Sequence, residues 1–198
     1  MPEVALVGRS NVGKSSLINA LVRQRLARTS AAPGKTRLAN IYRVARGGAA
    51  PLYLVDLPGY GYARGGAESA EAFDALTRAY FEREAASGLL LVDARHPGLG
   101  SDRAAWQWMR AAVADVAIAA TKIDKLARGE RIRAQRELES VFEDSVLPVS
   151  AVTGEGLDSL WKLIDRLANS HQPNRRSSPP RATVPPSPTR TPRRRRSG

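Results

Sequence analysis

The chain has 198 residues, enough for one domain with a substantial core. It contains no cysteine, which removes disulfides and thiolate metal sites and fits a reducing, cytoplasmic setting. Its net charge of +12 is unevenly placed, because residues 171–198 hold eight Arg and no acid, leaving the preceding part only mildly basic. In chain order, strands are expected at 3–7, 39–45, 51–56, 88–93, 115–121 and 145–149, where short apolar runs lie between turn residues. Helices are expected at 14–24, 68–85, 101–113, 128–142 and 156–169. This alternation predicts an α/β fold: a mainly parallel six-stranded sheet flanked by helices on both faces. The apolar run 89–92, like every other in the chain, is far too short to span a bilayer. An N-terminus that carries Glu3 and then enters a glycine-rich loop does not read as a cleavable signal peptide. No internal repeat is visible.

The last predicted helix places Leu157, Leu160, Trp161, Ile164 and Leu167 on one face, so Trp161 is expected in the core. Trp106 and Trp108 stand two apart on a helix and are not expected to share one core; one should pack with Met109 and Ala112 and the other be exposed. His96, beside Pro97 and Gly98, reads as a turn residue, and His171 as inert. From 171 to 198 the composition changes to seven Pro and eight Arg, with Ala182 and Val184 the only apolar residues. Such a segment cannot bury enough apolar surface to offset its ordering entropy. The expected organisation is therefore one domain over 1–170 and a disordered tail over 171–198. The run 193–196 is either a solvated charge cluster or a loose, non-specific RNA contact; membrane contact and nuclear targeting are the lesser readings.

Residues 8–16, GRSNVGKSS, fit the pattern G-x-x-x-x-G-K-[ST] between an expected strand and an expected helix. Gly8, Arg9, Ser10, Asn11, Val12, Gly13, Lys14, Ser15 and Ser16 would turn backbone N–H groups towards phosphate at a helix N-terminus. Lys14 would reach the outer phosphates, and the Ser15 hydroxyl would hold Mg²⁺. Asp56, Leu57, Pro58 and Gly59 follow another strand; the Asp suits Mg²⁺ through water, and the Gly amide a γ-phosphate. Thr121, Lys122, Ile123 and Asp124 follow a third strand. A carboxylate there can accept both the ring N–H and the exocyclic amine of guanine, whereas adenine would leave it unpaired. The Lys122 stem would pack along the base. A helix cap at the start of a loop is the plainer reading of this segment. Val149, Ser150 and Ala151 follow a fourth strand, and small residues there would let a backbone N–H reach the guanine carbonyl. These segments sit at successive strand ends, the edge where open α/β sheets bind ligands.

With these residues the chain resembles a translation-factor-type P-loop GTPase, and more narrowly the EngB group. The matching segments are GRSNVGKSSLINAL at 8–21, PGKTR at 33–37, DLPGYGYA at 56–63, VDARH at 92–96, TKIDK at 121–125 and VSAVTGEGLDSLW at 149–161. PGKTR and DLPGYGYA are the most specific of them. The resemblance implies GTP and GDP as ligands, Mg²⁺ as cofactor, and a P-loop GTPase fold acting as a monomer. It implies that Pro33, Gly34, Lys35 and Thr36 join the site, with Thr36 completing Mg²⁺ coordination when GTP is bound. Lys14, Thr36 and Gly59 become the catalytic set. Residues 28–40 and 57–68 become switch loops, for which Gly34, Gly59, Gly61, Gly65 and Gly66 are suitable. It further implies work on the large ribosomal subunit or its rRNA, needed for normal growth or division.

Many GTPases carry Gln after the D-x-x-G glycine to orient the attacking water, and here that residue is Tyr60. Either hydrolysis is slow for want of that group, or Tyr60 simply packs in the resting switch. In related GTPases without the Gln, an Asn at the position of Asn11 resembles a K⁺ ligand, the cation supplying charge to the transition state; an ordinary turn residue is the alternative. A signalling or membrane-associated GTPase is disfavoured by the missing lipidation cysteine. A nucleoside kinase is disfavoured because TKID has no part in its chemistry.

Overall fold

The computed structural model describes residues 1–27, 39–60, 75, 77–82 and 86–170. Six strands form one sheet: β1 (Glu3–Gly8), β2 (Asn40–Val44), β3 (Leu52–Asp56), β4 (Ala86–Asp93), β5 (Val116–Thr121) and β6 (Val146–Pro148), ordered β2-β3-β1-β4-β5-β6. Only β2 runs antiparallel to its neighbour, as a short hairpin partner of β3. All other pairings are parallel, from Glu3↔Tyr53 and Glu3↔Ala86 at the centre to Ala120↔Pro148 at the far edge. Parallel strands need crossover connections, and these carry α1 (Lys14–Val22), α2 (Gly100–Ala112) and α3 (Arg128–Phe142), while α4 (Leu157–Ser170) follows the last strand. The sequence boundaries hold to within about two residues for these elements. Of the helix expected over 68–85, residues 75 and 77–81 are helical and most of the rest lies outside the described residues.

The middle strands read as nearly unbroken apolar runs because both of their faces are covered. Val4, Ala5, Leu6 and Val7 of β1 and Leu89 to Val92 of β4 are all buried to 1% exposure or less. Their alternate side chains feed two cores. One lies under α1 and α4, where Leu17, Ile18, Leu160, Ile164 and Leu167 meet Val4, Leu6 and Leu89. The other lies under α2, α3 and the helical turn at 77–81, where Trp106, Met109, Leu138 and Phe142 meet Val7, Leu90 and Ile118.

The aromatic residues depart from expectation. Trp106 and Trp108 both reach the second core, although Ala112 does not. Trp106 is buried edge-on to Phe142 and donates its indole N–H to the Phe142 carbonyl at 3.1 Å. Trp108 is half-buried, edge-on to Phe81 and beneath Arg78. A helix face broadens when a neighbouring segment rises around it, and residues 77–81 supply that wall. Trp161 packs against the first core but is only half-buried, with the Arg46 guanidinium 4.1 Å above its ring. His96 is an exposed turn residue, its N–H donating to the Asp93 carbonyl at 2.9 Å.

Leu90 has no solvent exposure in the central parallel pair. Leu90→Ala is expected to lower stability by about 2–5 kcal/mol, read as a lower urea midpoint at unchanged slope.

Candidate functional site

The backbone after β1 makes the loop. Asn11 takes a left-handed conformation at φ 63° and Gly13 sits at φ 109°, which an L side chain would resist. The α1 helix then starts with no acidic residue in its first turn and no side-chain cap. Its first N–H groups and the positive end of its dipole are thereby left for an anion. Lys14, buried to 7% exposure, lies across the loop and donates from Nζ to the Gly8 carbonyl at 3.2 Å. Burial pushes its pKa down, against the opposing pull of Asp56. An ammonium held this way gains by exchanging one carbonyl for phosphate oxygens.

Two side chains from the end of β5 hold the loop from outside. The Thr121 hydroxyl donates to the Val12 carbonyl at 2.7 Å, and Lys122 Nζ donates to the Asn11 carbonyl at 2.5 Å. With these carbonyls drawn outward, the loop is kept open on its inner side. Lys122 also meets Asp93 Oδ2 at 3.0 Å, and Arg95 grips the same carboxylate through Nε at 2.9 Å and Nη2 at 2.7 Å. Burial alone would raise the Asp93 carboxyl, but hydrogen bonds from Arg95 and Lys122 outweigh it and hold it well below the ordinary range. The Lys122 stem passes over Gly13, 3.8 Å from where a β-carbon would stand.

Asp56 ends β3 beside the loop and accepts the Ser15 hydroxyl at 2.9 Å through Oδ2. Its Oδ1 is buried and has no hydrogen-bond partner among the described residues. Burial pushes the Asp56 pKa up, partly offset by Lys14 and Ser15. An unsatisfied carboxylate oxygen next to a serine hydroxyl is a hard, all-oxygen donor set of the kind that suits Mg²⁺. Next along, Gly59 runs so close to the loop that a β-carbon would lie 2.6 Å from the Ser10 nitrogen and 2.7 Å from its Cα. Only glycine fits without displacing one backbone from the other. Tyr60 then bridges to Arg9, its carbonyl accepting the Ser10 N–H at 2.9 Å.

The Tyr60 ring is buried, and its hydroxyl donates to Asp102 Oδ1 at 2.9 Å. Burial and the Asp102 carboxylate both push the phenol far up, so it is a hydrogen-bond donor and not an ionising group. Asp102 is itself buried at the start of α2 and raised by that burial. Arg9 Nε lies 3.9 Å from the same carboxylate oxygen.

At the other end of the site, Asp124 sits in a single 3₁₀ turn (Ile123–Lys125) after β5. Its Oδ1 accepts the Ser150 hydroxyl at 2.7 Å, while that Ser150 oxygen accepts the N–H groups of Val152 and Thr153 at 3.1 Å. Burial opposes ionisation of Asp124, but the bond from Ser150 and the neighbouring Lys125 bring its pKa below the usual value. A fixed, ionised acceptor therefore faces the end of the sheet.

The described candidates thus converge on one sheet edge. Val12, Leu57, Ile123 and Val149 have core side chains, so only their backbone is available to a ligand. Pro33, Gly34, Lys35 and Thr36, most of both expected switch loops, and the tail over 171–198 lie outside the described residues. Two residues gained a role only from the fold. Asp93 was visible merely as part of a matching segment. Asn19 clamps the chain just before residue 28, donating to the Ala27 carbonyl at 2.8 Å and accepting the Ala27 N–H at 2.7 Å.

A six-stranded sheet with this loop, an Asp–x–x–Gly strand end and a Thr–Lys–x–Asp turn on one edge defines a P-loop GTPase. The sequence model described as a 50S ribosome-binding GTPase matches residues 3–141. A probable GTP-binding protein EngB from Chlorobaculum parvum is 44% identical over 169 residues, covering 83% of this chain and 86% of that one. The chain belongs to the EngB family of GTP-binding proteins. Among solved structures, a probable GTP-binding protein EngB superposes with a TM-score of 0.66 at 24% identity, covering 85% of this chain and 99% of that one. Era in complex with MgGDPNP and a 16S ribosomal RNA fragment gives 0.75 at 24% identity, over 87% of this chain and 58% of that one. Both are likenesses of fold. Among the described residues no helix is long and apolar enough to cross a membrane.

Asp93→Asn removes the charge from the bonds to Lys122 and Arg95. Charge-assisted bonds of this kind are each worth about 1.5–3 kcal/mol, so affinity for a fluorescent GDP is expected to fall by about tenfold or more. Because the folded carboxyl lies below its unfolded value near 3.9, its contribution to stability is present above about pH 5 and lost as pH falls. The variant should therefore lose less stability than the parent between about pH 5 and pH 3, measured by urea unfolding.

Proposed function

We propose that this protein is a GTP-gated switch that hydrolyses GTP slowly and acts in the cytoplasm on assembly of the large ribosomal subunit, in support of growth or division. The observation that carries the slow switch is the Tyr60–Asp102 bond. The residue after Gly59, where a water-orienting amide would stand, is instead turned into the core with its hydroxyl engaged. Of the two readings of Tyr60, this supports packing, and packing leaves no side chain there to orient water. Membership of the EngB family and the match to a 50S ribosome-binding GTPase support the ribosomal setting.

In this reading Lys14 leaves the Gly8 carbonyl for the outer phosphates, and the Gly59 amide meets the γ-phosphate. Ser15 and Asp56, the latter through water, hold Mg²⁺, with Thr36 joining them when GTP is bound. The ion neutralises phosphate charge when present. Asp124 accepts two guanine donors, and a backbone N–H at Ser150 or Ala151 meets the guanine carbonyl. Asn11, whose side chain is exposed beside the phosphates' place, is the candidate K⁺ ligand. The protein works as a monomer, and its Arg-rich tail adds non-specific RNA contact.

Single-turnover hydrolysis by the purified protein is expected on the scale of unaided Ras, about 10⁻⁴–10⁻³ s⁻¹. A rate well above about 0.1 s⁻¹ on that scale would contradict the slow switch. Potassium should raise the rate over sodium at equal ionic strength, and Asn11→Ala should abolish the difference; equal rates in the parent remove the K⁺ role. Co-sedimentation with large-subunit particles should be stronger with a GTP analogue than with GDP, and absence of binding in either state would count against the ribosomal role.

A further inference from the structure

At the sheet edge away from the nucleotide, a second site is built from three elements. The chain after α1, the end of β2 and Trp161 of α4 enclose a groove of about 430 Å³. Its lining includes Arg23, Gln24, Leu26, Arg43, Arg46 and Trp161, and none of the lining residues is acidic. The register fixes its position. Asn40 of β2 pairs with Asp56 at the nucleotide end, while Val44, which lines the groove, pairs with Leu52 at the other. The nine residues of α1 separate the phosphate loop from the groove by about 13 Å at 1.5 Å per residue. Both ligands therefore fit at once.

We propose that this groove binds a single strand of RNA, with Arg23 and Arg46 on phosphate and Trp161 as a stacking platform. A cationic groove joined to an aromatic surface is the arrangement that holds single strands. Three features of the groove match it. The Arg46 guanidinium is already held over Trp161 and bonded to Asp165, so little side-chain entropy is lost on binding. Trp161 is half-buried on a helix whose neighbouring Leu160 and Ile164 are fully buried, which anchors the ring beneath Arg46 while part of it stays exposed. Arg23 caps α1 in the left-handed region at φ 54°, a place that favours Gly or Asn. It is exposed, so its charge is open to a phosphate. Like charge excludes the chain's own Arg-rich tail as the occupant. The choice of RNA over DNA rests on the ribosomal reading above; the groove's affinity for a phosphate strand does not.

The test uses the full chain with GDP bound and a fluorescein-labelled 12-nucleotide oligouridine, followed by anisotropy over a salt series. Arg23→Gln with Arg46→Gln should weaken binding at least tenfold. The log–log salt slope should shrink by about 1.4, two phosphates at 0.7 each, with GDP affinity unchanged. Arg23→Gln alone, which leaves the Arg46–Trp161–Asp165 contacts intact, should give about half of that slope change. RNA should quench tryptophan emission, and Trp161→Phe should remove most of the quench. A chain with Arg193, Arg194, Arg195 and Arg196 changed to Gln reports the tail's share. If the groove variants keep the parent affinity and slope while the tail variant loses them, the proposal is overturned. It is also overturned if the groove variants lose binding of polyglutamate but not of RNA, since the occupant would then be an acidic peptide. Co-sedimentation with large-subunit particles separates the two readings. Parent binding with no groove effect on RNA sinks the groove alone, while loss of RNA affinity in the variants without parent co-sedimentation sinks the ribosomal role alone.

Discussion

The site depends on a pair of outward pulls on the phosphate loop. Consecutive carbonyls, of Asn11 and Val12, are each taken by a side chain from the end of β5, Lys122 and Thr121. A loop of this shape would otherwise be free to turn its carbonyls inward, where the proposed phosphates would lie. Because the same turn carries Asp124, the residues proposed to read the base also hold the loop that grips the phosphates. The Thr121 bond is buried and neutral, and the Lys122 bond is charge-assisted and further fixed by Asp93. Disturbing the base turn should therefore loosen phosphate binding as well.

A second dependence runs to the opposite side of the loop. Gly59 and Tyr60 lie against Ser10 and Arg9 with no room for a β-carbon at Gly59, and Tyr60 is fastened to Asp102 on α2. The strand end that would meet a γ-phosphate is thus packed to the loop and tied to the core beneath it. On the proposed reading, the catalytic weakness of this enzyme and the firmness of its resting state have one cause. A side chain engaged in holding the segment is not available to position water.

Much of this was legible from residue order alone. The four motif segments fall at strand ends because periodicity and turn residues locate those ends well, and continuous apolar runs at 4–7 and 89–92 follow from burial on both faces. What escaped was set by partners distant in sequence. Asp93 is one carboxylate among many until the fold brings Lys122, 29 residues on, to its side. Trp161 fits the apolar period of its helix and packs on a core, but its contact with Arg46, far back along the chain, is invisible to that period. Trp108 shares a core with Trp106 because residues 77–81 supply a wall that helical spacing does not reveal. The partner of the Tyr60 hydroxyl, Asp102, is likewise distant in sequence and marked by no local pattern.

The central claim is that Asp124, held ionised by Ser150, selects guanine at the edge whose loop its neighbours Thr121 and Lys122 support. The most direct measurement is equilibrium binding of GDP, ADP and xanthosine diphosphate to the parent and to Asp124→Asn. The account predicts that the parent prefers GDP over ADP by about 10⁴-fold, the scale of sites built on buried polar pairing. It predicts that the Asn variant loses GDP affinity by at least about 100-fold and prefers xanthosine diphosphate, whose ring carbonyl replaces the amine and accepts from the new amide. A parent that binds ADP as well as GDP, or an Asn variant that keeps the parent's affinity for GDP, would contradict it.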